Sequence, residues 1–120
     1  MSTATAVENT ARVLCSVHDL VDYSGVVALH NGRQIALFYL PHGRDRHSAP
    51  EVFGIDNHDP FSNANVIGRG IIGDKGGELV VASPLYRQHF RLDDGVCLED
   101  NDIRLATYDV RLEGECVVIA

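Results

Sequence analysis

Apolar residues in this chain come in short runs separated by Gly, Pro, Asn and Asp. No stretch of ten or more residues holds a 3.6-residue apolar period, so helices of ordinary length are not expected. Arg12–Val17 reads as a first strand, followed by a polar loop over His18–Gly25. Val26–Leu29 and Gln34–Leu40 are β-branched and apolar, split by His30-Asn31-Gly32-Arg33. An Asn-Gly pair between two such runs predicts a hairpin, because both residues tolerate the positive φ of a tight turn. Ile35-Ala36-Leu37-Phe38-Tyr39-Leu40 shows no alternation, which predicts a strand covered on both faces. Pro41–Pro50 is a polar loop, and Val52–Asp56 resumes as a short strand.

Asn57–Gly77 is long, rich in Asn, Gly and Asp, and without clear periodicity. Loops of this length inside a small domain are functional or specially braced. Leu79–Ala82 then predicts a buried strand, followed by a turn at Ser83-Pro84-Leu85-Tyr86 and a second short strand over Gln88–Leu92. The Asp94-Gly95 turn closes this hairpin-like unit. Cys97–Asp102 reads as an acidic connection. Arg104–Leu112 predicts one strand with Ala106, Tyr108, Val110 and Leu112 inward, and Glu113-Gly114 turns into a last strand at Cys116–Ile119. Eight to ten short strands with turns between them make an all-β domain over residues 12–120. Residues 1–11 read as a flexible N-terminus with neither the basic start nor the apolar stretch of a secretory signal.

Composition narrows the function. The chain has 120 residues, 45% of them hydrophobic, enough for one real core. Ten basic against seventeen acidic residues give a net charge of −7, with no Lys/Arg-rich run to offset it. Nucleic acid and anionic membrane surfaces are therefore poor partners. The longest apolar run, Ile35–Leu40, is far too short to span a bilayer. Cys15, Cys97 and Cys116 form no CxxC and no even set, which predicts reduced thiols in a cytoplasmic protein, each behaving as a small hydrophobe.

Familiar catalytic patterns fail on their mechanics. Gly68-Arg69-Gly70-Ile71-Ile72-Gly73 spells the dinucleotide fingerprint, but Asp74-Lys75-Gly76-Gly77 cannot start the helix whose N-terminus would meet a pyrophosphate. The six histidines include no HExxH pair and no Cys/His zinc spacing. There is no GxSxG elbow. No catalytic residue and no metal ligand is assigned.

The stretch 78–95 carries the most specific signal. Strand, Ser83-Pro84-Leu85-Tyr86 loop and Phe90-Arg91-Leu92-Asp93-Asp94-Gly95 turn resemble the second cluster-binding loop of Rieske iron–sulfur domains. In that family the loop is Cys-Pro-x-His, so Ser83 and Tyr86 stand at the ligand positions. The first loop, Cys-x-His in the family, corresponds to Asp59-Pro60-Phe61. With Arg69-Gly70, Glu78-Leu79 and Cys97-Leu98-Glu99-Asp100, the chain resembles the small subunit of cytoplasmic NAD(P)H-dependent nitrite reductase over roughly residues 12–119.

That resemblance implies a Rieske-like fold of stacked antiparallel sheets that keeps the cluster loops without their ligands. A Rieske cluster needs two thiolates and two imidazoles; Asp59, Phe61, Ser83 and Tyr86 offer neither. It further implies an accessory role beside a large subunit that holds the flavin (FAD), an iron–sulfur centre and the sirohaem that reduces nitrite to ammonium, with no cofactor in this chain. The two loops are then expected to form a docking tip, with Pro60, Phe61, Pro84, Leu85 and Tyr86 at its centre and Arg69 and Arg87 at its edge. A plainer possibility is that Phe61 and Tyr86 only fill the volume a cluster would occupy. The competing function is a stand-alone Rieske-type ferredoxin that binds a cluster through other ligands.

Overall fold

The computed structural model describes residues 12–120; the expected flexible segment 1–11 lies outside the described residues. The strands are β1 (Arg12–Ser16), β2 (Ser24–His30), β3 (Arg33–Leu40), β4 (Glu51–Asp56), β5 (His58–Asp59), β6 (Ala64–Asn65), β7 (Ile71–Lys75), β8 (Glu78–Ala82), β9 (His89–Arg91), β10 (Thr107–Tyr108), β11 (Val110–Glu113) and β12 (Cys116–Ile119). Only two single 3-10 turns, Val17–Asp19 and Ile67–Arg69, interrupt this all-β architecture among the described residues.

The middle layer is a four-stranded antiparallel sheet in the order β10-β4-β3-β2. Its first hairpin closes through Asn31 and Gly32, at φ 52° and 78°, with His30 opposite Arg33. β3 is the spine of the molecule: Ile35, Ala36, Leu37 and Phe38 are all fully buried. Ala36 and Phe38 face one core with Ile55, Ile67, Val81, Phe90, Leu92, Cys97 and Leu105. Ile35 and Leu37 face the other, with Val117 and Ile119. The absence of alternation in this run thus reflects two covered faces, as expected.

A β1-β12-β11 sheet supplies the second core, and a β7-β8-β9 sheet with the following turn supplies the first. The loop 41–50 is braced on this frame by Arg44, whose guanidinium reaches Glu51 and Asp93, each at 3.1 Å. The three thiols are free; Cys97 is buried in the first core and Cys15 packs against the second.

Two expectations are corrected. Among the described residues there are twelve strands rather than eight to ten, because the stretch 57–77 contains β5, β6, a 3-10 turn and β7. β7 is an edge strand with Ile71, Gly73, Asp74 and Lys75 exposed and only Ile72 packed on the first core, too little of a buried face to print an alternation. The expected strand 104–112 is broken at Asp109: β10 pairs with β4, whereas β11 pairs with β12 in another sheet. Tyr108, Val110 and Leu112 do pack on the second core, but Ala106 is exposed. Leu105 faces inward instead, toward the first core, its N–H donating to Gly95 O at 2.9 Å. A chain that changes sheets cannot keep one period of two.

Candidate functional site: the paired-loop tip

Two loops built alike meet at one end of the molecule. In the first, Asp59 O accepts from Asn63 N at 2.8 Å and Asp59 Oδ1 accepts from Phe61 N at 2.9 Å. In the second, Ser83 O accepts from Arg87 N at 3.1 Å and Ser83 N donates to Gln88 O at 2.9 Å. Each has Pro in second place, Pro60 or Pro84, where its fixed φ suits a turn. Each closes on a non-glycine residue in the left-handed region, Asn63 at φ 59° or Arg87 at φ 63°. Such backbone persists only when the surroundings over-determine it.

Those surroundings begin with a bond between the loops. Ser83 Oγ donates to Asp59 Oδ2 at 2.5 Å, and both residues are buried. Beneath them, buried Asn57 accepts at Oδ1 from Gly68 N at 2.6 Å, while its Nδ2 donates to Gln34 Oε1 at 2.9 Å. Asn57 therefore bolts the root of the first loop to both the 3-10 turn and β3. Gly70 brings that turn against the start of the second loop: a Cβ there would stand 2.5 Å from Ala82 O.

The expected site residues separate into two groups. Asp59 and Ser83 are interior ties, and half-buried Phe61 packs on the first core with its ring centroid 6.2 Å from that of Phe90. Leu85 and Tyr86 are 53% and 62% exposed, and Pro60, Pro84, Arg69 and Arg87 are exposed with them. Phe61 is thus packed inward, whereas Tyr86 is not.

The two histidines nearest the loops are engaged elsewhere. His58 Nδ1 lies 2.9 Å from Asn65 Oδ1. His89 Nδ1 lies 2.7 Å from Glu99 Oε2, which Lys75 Nζ also meets at 3.1 Å, and His89 N donates to Glu99 Oε1 at 2.8 Å. Partial burial would raise the Glu99 carboxyl, but these donors outweigh it and hold its pKa at about 2. Burial pushes the Cys97 thiol above its ordinary value, so it is not an activated thiolate. Among the described residues, no three His, Cys, Asp or Glu side chains are grouped to hold a metal. Within Gly68–Gly73, Gly68 lies in the 3-10 turn and Gly73 in β7, with no helix following.

Sequence reasoning missed Asn57 and Glu99. A lone Asn at the head of a polar loop and a Glu in an acidic connection carry no local signal, because their partners lie 11 and 10 residues away across turns.

The Rieske-like [2Fe-2S] domain family model matches residues 12–120. The nitrite reductase (NADH) small subunit of Salmonella typhimurium is 45% identical over 100 residues, covering 83% of this chain and 87% of that protein. This chain belongs to the nitrite reductase small-subunit family. The solution NMR structure of the NAD(P)H nitrite reductase small subunit from Erwinia carotovora superposes with a TM-score of 0.71 at 40% identity, covering 92% of this chain and 80% of that one. A third relative is informative in another way. The NAD(P)H nitrite reductase large subunit of Klebsiella oxytoca is 35% identical over 102 residues, which is 85% of this chain but 10% of that protein. In that protein, a domain like this small subunit is a segment of the large-subunit chain itself.

Proposed function

We propose that this chain is the accessory small subunit of an NAD(P)H-dependent nitrite reductase, docking on the large subunit through the paired-loop tip and holding no redox centre of its own. The observation that carries the reading is the tip itself. The two positions that Rieske domains use for thiolates are joined to each other by a side-chain hydrogen bond, while Leu85 and Tyr86 beside them are exposed. A carboxyl group, a hydroxyl, a phenol and a phenyl ring do not fit a [2Fe–2S] cluster, which takes two thiolates on one iron and two imidazoles on the other. The flavin, iron–sulfur centre and sirohaem of nitrite reduction to ammonium then belong to the large subunit. The segment of the Klebsiella oxytoca large subunit that is similar to this chain supports a direct contact between the two parts. Three free cysteines fit the reducing cytoplasm.

The tip has the makeup of a docking surface: a Tyr and a Leu at the centre, Pro residues that stiffen it, and Arg at the edge. Phe61 supports it from below.

The test is co-elution of the full chain with its sirohaem-containing large subunit, with nitrite-dependent NAD(P)H oxidation measured with and without it. Leu85→Asp and Tyr86→Asp should each weaken co-elution by about tenfold or more while leaving the fold intact. Unchanged affinity in both variants would sink the docking reading. Iron and sulfide in the purified wild-type chain would favour the electron carrier instead.

A further inference from the structure

The tip differs in charge from the rest of the molecule. Of the seventeen carboxylates in the chain, only Asp59 falls within residues 57–73 and 82–89, and it is fully buried. The Lys and Arg residues of the same segments are Arg69 and Arg87, both exposed. Among the described residues neither forms an ion pair, and nor do Arg12, Arg33, Arg46 and Arg104, while Arg44, Lys75, Arg91 and Arg111 meet carboxylates of this chain. A chain of net charge −7 thus ends in a cationic, apolar tip.

The apolar part is wider than the two loops. Ile71 is 74% exposed at the start of edge strand β7, and its ladder partner is Ala82, the residue before Ser83. It therefore lies beside the second loop, together with Leu85 and Tyr86. A β-branched side chain this exposed on a free edge is costly to leave in water and is normally guarded by charge.

We propose that the surface this tip recognises on the large subunit is an apolar patch rimmed by carboxylates, with Ile71 a third apolar anchor beside Leu85 and Tyr86, and Arg69 and Arg87 meeting the rim. The inference rests on the docking reading above and adds the chemistry of the partner. Orientation decides the sign. A basic partner would attract the acidic body and turn the tip away. An acidic partner repels the body and attracts the two arginines, so the molecule arrives tip first. Extended polyanions such as nucleic acid would meet the acidic body as well as the tip, which disfavours them.

The test is the association kinetics of the full chain with its large subunit at about 0.05 and about 0.3 M salt, a range over which screening of exposed charges changes strongly. The expected result is that salt slows association and that R69E/R87E slows it by about tenfold or more at low salt. Ile71→Ser should speed dissociation several-fold. Arg111→Glu, on the β1-β12-β11 sheet, should change association much less than the tip reversal. If R69E/R87E leaves the rate unchanged or raises it while Leu85→Asp still weakens binding, the acidic-rim inference is overturned and tip docking stands. If Ile71→Ser and Leu85→Asp are both silent, the docking reading itself fails. A wild-type chain that dimerises alone, and is made monomeric by Leu85→Asp, would show that a second copy covers the patch and would also overturn the proposal.

Discussion

The Ser83 hydroxyl, in the second loop, donates to a buried carboxyl group in the first. The Asp59 side chain is enclosed and, among the described residues, accepts from two donors, Ser83 Oγ and Phe61 N. Ser83→Ala removes one donor and leaves the carboxyl oxygen buried without a partner, a loss of about 1–3 kcal/mol. Chemical denaturation should show that loss as a lower midpoint. Combining it with Asp59→Ala should cost less than the sum of the single changes, because the orphaned acceptor has gone as well. An additive pair would mean that the two residues do not act on each other. The four loop-tip positions were legible from motif letters. That two of them bond to each other was not, because residues 24 apart in sequence leave no local pattern. The difference between a packed Phe61 and an exposed Tyr86 was equally hidden, since it depends on where Phe90 lies below.

Among the elements, the legible ones were those with a covered face or an explicit turn. β3 announced itself by six consecutive apolar residues, and the β2–β3 hairpin by Asn31-Gly32. Edge strand β7 and the sheet-switching segment β10–β11 had neither signal, so one was read as loop and the other as a single strand. The Glu99 carboxylate, shared between Lys75 and His89, ties β7 and β9 to the 97–102 connection, beside the backbone bond from Leu98 N to His89 O. Its pKa is depressed from an ordinary 4.5 to about 2. The folded state therefore binds this proton less readily than the unfolded chain. The stabilisation is fully present above the ordinary carboxylate range and is lost as pH falls toward 2. Denaturant midpoints measured between pH 6 and pH 2 should fall more steeply for the wild type than for Glu99→Gln, which has no such proton to gain. Parallel slopes would remove Glu99 from the acid transition. The pair is substantially exposed, so the effect is a fraction of what a buried pair would give.

At the scale of the molecule, the sheets β10-β4-β3-β2, β1-β12-β11 and β7-β8-β9, with the small β5-β6 sheet, present a cationic tip on an acidic body. The all-β class could be read from turn spacing and the Rieske-like frame from the 78–95 stretch, because loop chemistry in this frame is local. The uneven spread of charge was legible only once the fold had placed residues 57–73 next to 82–89. The Klebsiella oxytoca relative suggests how tolerant the contact is. Joined to its large subunit by a flexible linker, this chain would face its site at an effective concentration of the order of millimolar. Leu85→Asp should then be largely rescued in nitrite-dependent NAD(P)H oxidation, whereas the same variant supplied as a separate chain at micromolar concentration should not. Failure of the tether to rescue would show that the tip does more than hold the two parts together.

The Ser83–Asp59 bond also bears on how the subunit is made. A loop pair joined by iron is finished only when a cluster has been built elsewhere, delivered and kept from oxidation. A pair joined by two side chains of the same polypeptide is finished when that polypeptide folds. If the chain holds no cluster, as proposed, the supply of competent small subunit follows its translation alone, and iron shortage or oxidants would leave the paired-loop tip intact.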